Sequence, residues 1–207
     1  KTAADGNDPM RWPVLREAQW DAAQSIDNVY AICTIDCGEY DNIHPLDKRT
    51  PGERLANCAL RQIYGTDRVP VHGPTVLGFR CDPNGRVRLF FRYAHGLHFE
   101  GTTPGGGDDF DGQLPTLVRV PERSGFELAG SDGMFHPATA AIFVDCDIDD
   151  LVNSRVNVVD YNATEFGIPI KSRSFGTITL PTPEVPETVA MRYAWRSWGP
   201  APLSNDD

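Results

Sequence analysis

This chain is short of cationic charge: 19 lysines and arginines face 29 aspartates and glutamates, for a formal net charge of −10. Such a surface repels phosphate backbones and anionic lipid headgroups, so nucleic-acid and membrane-surface roles have no electrostatic footprint. Long apolar runs are also missing. No stretch approaches the roughly 20 apolar residues that span a bilayer, and residues 1–12 carry no apolar signal core. Cysteine is sparse and odd in number, at positions 33, 37, 58, 81 and 146, with no Cys-x-x-Cys pair. Zinc and thioredoxin-type chemistry therefore lack their usual ligand spacing. The thiols read as buried and free, with a bridge between Cys33 and Cys37 left open, and free thiols lean towards a reducing, cytoplasmic compartment over a periplasmic or secreted one. The polar opening KTAADGNDP reads like the middle of a loop, as if a preceding segment were absent.

What is present suffices for a folded core: two fifths of the 207 residues are hydrophobic and a tenth aromatic. Residues 13–24 carry a helical pattern, with Pro13 suited to the first turn and Leu15, Ala18, Trp20 and Ala22 on its apolar side. The run Val29 to Ile35 is continuously apolar and β-branched, which predicts a parallel strand buried on both faces. A polar loop follows. Thr50, Pro51 and Glu53 then predict a capping box opening a second helix, whose apolar stripe is Ala56, Ala59, Leu60 and Ile63 and which ends at Gly65.

From residue 66 onwards the pattern changes to short β-rich runs separated by Gly, Pro, Asn and Asp. Residues 86–91, 140–144, 154–159 and 188–195 are examples, with Pro83-Asn84-Gly85 as a turn. The expected class is α+β. Residues 1–65 read as the C-terminal end of a larger α/β domain, because one strand and two helices cannot bury a strand apolar on both faces. Residues 66–207 read as an all-β sandwich or jelly roll.

The chemistry concentrates within residues 1–65, in the polar loop between the expected strand and the second helix, where Asp41-x-x-His44 offers an imidazole base and a carboxylate to orient it. The loop follows an expected parallel strand, the end of a sheet at which α/β enzymes place their sites. Its surroundings sharpen the signal. Ile35-Asp36-Cys37-Gly38-Glu39-Tyr40-Asp41-Asn42-Ile43-His44-Pro45-Leu46-Asp47-Lys48, followed by Gly52-Glu53-Arg54-Leu55-Ala56, closely resembles the last conserved block of the sialate O-acetylesterases, which are SGNH or GDSL-type serine hydrolases. Residues 12–19 look like the helix preceding that block. A looser likeness continues through Gly73-Pro74, residues 125–130 and residues 189–195.

The resemblance implies an esterase that removes O-acetyl groups from sialic acid or related sugars, with His44 and Asp41 as base and acid and no cofactor. The family's Gly-x-Ser nucleophile setting and its oxyanion glycine and asparagine have no counterpart here. Gly130-Ser131-Asp132-Gly133 reads as a turn, since a strand-to-helix elbow has no place in a β region. The expected partners are therefore an N-terminal segment or subunit carrying the serine, and an O-acetylated sugar. Alone, the chain is expected to be inactive.

Three other groupings are weaker. His95 and His98 lack a third metal ligand, and Asp145, Asp147, Asp149 and Asp150 lack the glycine and spacing of a calcium loop. Trp195 and Trp198 suit core packing better than a sugar platform. The competing reading is a non-catalytic, carbohydrate-binding or scaffolding β-sandwich whose exposed aromatics carry the function.

Overall fold

Helix α1 covers Trp12–Ser25, with a proline in its first turn where the missing N–H costs nothing. In a computed structural model of the protein, the described residues are 11–39, 42–66, 69–81, 86–94, 96–100, 117–118, 121–143, 157–158, 175–180, 185, 187–197, 199 and 201–205. The expected turn at 83–85 lies outside them. Helix α2 covers Arg49–Gln62. Past its end, Gly65 takes a φ of 69°, which an L side chain resists. The Thr66 amide there folds back onto the Leu60 carbonyl at 3.0 Å.

Two expectations for this region are corrected. The capping box does not form, because α2 begins at Arg49 and so makes Thr50 a helical residue. The Asp47 carboxylate accepts the Thr50 amide at 3.0 Å instead, and Glu53 turns to Arg49, one helical turn earlier, at 2.6 Å. Residues 29–35 join no sheet among the described residues, and Val29, Tyr30, Cys33 and Thr34 are exposed. A strand needs a neighbour to satisfy its backbone and cover its side chains, and none among the described residues stands there.

Apart from a 3-10 turn at Pro121–Arg123 the remaining described elements are strands, and every described pairing is antiparallel. They are β1 Thr75–Cys81, β2 Val87–Arg92, β3 His98–Phe99, β4 Leu117–Val118, β5 Phe126–Ala129, β6 Phe135–Pro137, β7 Ala140–Phe143, β8 Asn157–Val158, β9 Phe175–Leu180, β10 Ala190–Tyr193 and β11 Leu203–Ser204. The largest sheet has the order β4-β7-β9-β2-β1-β8; the others are β10-β5-β6 and β11-β3. Helices followed by antiparallel sheets make the chain α+β.

Alternation along β2 sends Val87, Leu89 and Phe91 into a core shared with Phe99, Phe126, Leu128, Ile178 and Leu180. Phe90, on the opposite face, is equally buried, so β2 is covered on both sides. Each such side chain contributes about 1.5–3 kcal/mol through burial, so this cluster dominates the stability of the β-rich part. A bulge between Val76 and Gly78 shifts the β1–β2 register at one end. Ser124 is fully buried, with its hydroxyl donating to the Ala138 carbonyl and accepting the Phe126 amide at 3.0 Å.

The chain divides into two compact units. The first comprises Lys1–Val71 and Ala194–Ala201, and the second His72–Tyr193 and Pro202–Asp207. Within the first, Arg16 of α1 donates to the Ala194 carbonyl at 2.7 Å and the Arg196 carbonyl at 3.0 Å, which ties the returning segment to α1. Within the second, the Asn205 amide donates to the carbonyls of Tyr93 at 2.7 Å and His72 at 3.3 Å. No helix among the described residues is long and apolar enough to cross a membrane.

Candidate functional site

The loop between residues 35 and 49 is closed at its root by Arg54. From the second turn of α2 its guanidinium donates to both oxygens of Asp36, at 2.7 and 2.6 Å, and to the Cys33 carbonyl at 2.7 Å. Two parallel bonds from a planar fork fix angle as well as distance, which a lysine could not do. The hydrogen bond from Arg54 is the largest influence on the Asp36 carboxyl and holds it below the usual carboxylate range, partly opposed by desolvation. Arg54 also lies 3.3 Å from the Cys37 sulfur. Burial, reinforced by the negative charge of Asp36, pushes the Cys37 thiol up to about 11. At neutral pH it is protonated, which rules it out as a ready nucleophile.

Further out, Glu39 braces the loop. One carboxylate oxygen accepts the Leu46 amide at 2.7 Å and the other accepts the side-chain amide of Asn42 at 2.8 Å. Asn42 in turn accepts the backbone amide of His44 through Oδ1 at 2.9 Å. The bond from the Leu46 amide, followed by that from Asn42, holds the Glu39 carboxyl below its ordinary range. Asp47 is lowered in the same direction, chiefly by the Thr50 amide at the start of α2.

His44 sits exposed between these braces. Its amide is tied, while among the described residues no carboxylate forms an ion pair with its ring. Asp41, the expected acid, lies outside the described residues. The arrangement thus presents an imidazole, a group that can both take and give a proton, on a loop whose backbone is tied at several points.

The thiols divide. Cys37 and Cys58 are buried and free, as expected, whereas Cys33 and Cys81 are free but exposed, because residues 29–35 have no sheet to cover them and Cys81 ends its strand. Cys146 lies outside the described residues. Gly130-Ser131-Asp132-Gly133 is the turn of the β5–β6 hairpin, closed by the Gly133 amide on the Gly130 carbonyl at 3.0 Å and by the Met134 amide on Asp132 at 3.0 Å. His98 lies 2.7 Å through Nδ1 from the Gly96 carbonyl, and no group of three or more potential ligands among the described residues could hold a metal ion. His95, Trp198 and the aspartates at 145, 147, 149 and 150 lie outside the described residues, while Trp195 is half-buried.

Two features went unread in the sequence. The brace from Glu39 and Asn42 has no periodic signature, because it joins residues three and seven apart within an irregular loop. The pair Glu127–Arg192 spans two strands directly opposite one another at 2.8 Å, with Arg192 4.0 Å over the Phe135 ring. A scan of protein-family models gives no match to this chain, and no curated protein matches it.

Proposed function

We propose that the chain is the C-terminal portion of a sialate O-acetylesterase-like enzyme of the SGNH type, acting on O-acetyl groups of sialic acid or related sugars. In this reading residues 1–65 complete an α/β catalytic domain, and residues 66–207 form a sandwich or jelly-roll accessory domain. His44 takes the proton of a serine supplied by another segment or subunit as that serine attacks the acetyl carbonyl, and Asp41 orients the imidazole. His44 then protonates the departing sugar oxygen. Water, deprotonated by the same imidazole, releases acetate from the acyl-enzyme and returns the serine.

The observation that carries this reading is the orientation of α2. Its side bearing Arg54, Cys58 and Arg61 faces the chain: Arg54 bonds to the loop root, Cys58 is buried and Arg61 donates to the Val69 carbonyl at 3.4 Å. Its apolar residues Leu55 and Leu60, and Ile63 at its C-cap, face solvent. An amphipathic helix draws its stability from burying its apolar stripe, so a stripe turned outward calls for a covering layer. The sheetless, β-branched residues 29–35 call for the same thing, and an α/β domain would supply both.

The test is hydrolysis of O-acetylated sialic acid by the protein together with its serine-bearing segment. His44→Ala is expected to reduce kcat by about 10⁴-fold or more. Wild-type turnover in that variant would remove His44 from the mechanism.

A further inference from the structure

We propose that Glu39 and Asn42 are positioning residues for His44, acting as a relay that sets where its imidazole stands; this rests on the reading of His44 as the catalytic base. The relay uses every available atom. Both carboxylate oxygens of Glu39 are engaged, one by the Leu46 amide beyond the histidine and one by Asn42 before it. Asn42 serves as an adaptor, donating through Nδ2 to Glu39 and accepting the His44 amide through Oδ1. Among side chains of that length only an asparagine donates from one terminal atom to a carboxylate while accepting a backbone N–H with the other. The brace therefore spans the histidine from both sides and consumes its backbone N–H, while the ring stays exposed.

Fixing a base in this manner matters because a displacement of about 1 Å costs on the order of 10²-fold in rate. The Arg54 clamp holds the loop at its root, bonding to Cys33, Asp36 and Cys37, and among the described residues it makes no bond to Glu39 or to residues 42–46. Glu39 and Asn42 act where the histidine is.

The relay has a polarity that can be reversed. Asn42→Asp sets two carboxylates against each other and removes the donor; Glu39→Gln leaves two amide groups with a donor facing a donor. In the double variant the new amide nitrogen at position 39 can donate to one oxygen of the new carboxylate at position 42, whose other oxygen accepts the His44 amide. The amide carbonyl at position 39 still accepts the Leu46 amide. All three bonds are then restored, with donor and acceptor exchanged between positions 39 and 42.

Ester hydrolysis by the assembled enzyme tests this. Asn42→Asp is expected to lower kcat by about 10²-fold at unchanged KM, and Glu39→Gln by about tenfold. The double variant is expected to recover to within about threefold of wild type, a coupling that independent structural damage would not produce. In the 207-residue chain itself, Asn42→Ala should speed amide hydrogen exchange at His44 by about tenfold. Unchanged kcat in Asn42→Asp, or a double variant no better than Asn42→Asp, overturns the relay while leaving His44→Ala inactive. Unchanged exchange at His44 in Asn42→Ala overturns it too. Should His44→Ala turn over like wild type, the base assignment itself fails, and the positioning role fails with it.

Discussion

Arg54 and Asp36 meet through two parallel hydrogen bonds of 2.7 and 2.6 Å, so that α2 and the root of the His44 loop are joined by a rigid fork. Because the pair is roughly half exposed, solvent screens it and its worth is modest. Arg54→Ala also strips a donor from the Cys33 carbonyl, and the combined loss is expected at about 1–2 kcal/mol. Arg54→Lys, which offers a point charge without the fork, should recover less than half of it. Urea unfolding followed by the far-ultraviolet circular dichroism of the helices would measure both, and a lysine variant as stable as wild type would show that charge alone matters.

The same pair makes stability depend on pH. The folded-state pKa of Asp36 lies below its ordinary value of 3.8, principally through the Arg54 hydrogen bond. A depressed carboxyl contributes stability that is fully present above the unfolded value and is lost as pH falls through the folded one. Glu39 and Asp47 shift in the same direction. The stability gap between wild type and Asp36→Asn should therefore be flat at neutral pH and shrink below about pH 4. A gap that instead narrows on the alkaline side would assign the effect to another group.

Thiol chemistry offers an independent check. Cys33 and Cys81 are exposed, whereas Cys37 is buried with its thiol pushed up to about 11 and Cys58 is raised by burial. A maleimide or iodoacetamide pulse at mildly alkaline pH should modify Cys33 and Cys81 while sparing Cys37 and Cys58 until denaturant is added. Peptide mass spectrometry would read the sites. Rapid labelling of Cys37 in the native chain would mean that the Asp36–Arg54 region opens readily.

Much of the local structure was legible because its signals are local. Pro13 and the spacing of apolar residues announce α1, the residues around Ala59 and Ile63 announce α2, and the alternation in Val87, Leu89 and Phe91 announces β2. Failure came where partners decide. Val29 to Ile35 has the composition of a buried strand, but composition cannot provide a neighbouring strand, and much of the segment lies exposed instead. Thr50 and Glu53 fit a cap, yet Asp47 lies within reach of the Thr50 amide and takes the role. The strand at residues 175–180 went unread in the sequence, and that β9 sits between β2 and β7 follows only from long-range pairing. At the candidate site, a role for His44 is an expectation from Asp41-x-x-His44 and the family resemblance, but the polar loop that carries it was readable from residue types. The Glu39–Asn42 brace was not, because irregular loops have no period.

Exposed and buried apolar side chains in the two units should respond to mutation on very different scales. Ile63 and Leu55 at α2 are 66% and 59% exposed, whereas Phe126 in β5 is 1% exposed and packs with its ring centre 4.6 Å from that of Tyr193. Phe126→Ala removes a ring from a filled core and is expected to cost about 3–5 kcal/mol. Leu55→Glu takes little out of contact and places a good helix former on an exposed face, so it should change stability by no more than about 0.5 kcal/mol, and Ile63→Glu, at the C-cap where the helix dipole opposes a carboxylate, should cost at most about 1 kcal/mol. Binding of an apolar fluorescent dye to the isolated chain should nevertheless fall in both glutamate variants, because they interrupt the uncovered stripe. If Ile63→Glu instead destabilises the chain as severely as Phe126→Ala, then Ile63 is buried in solution and the argument for a missing covering layer collapses.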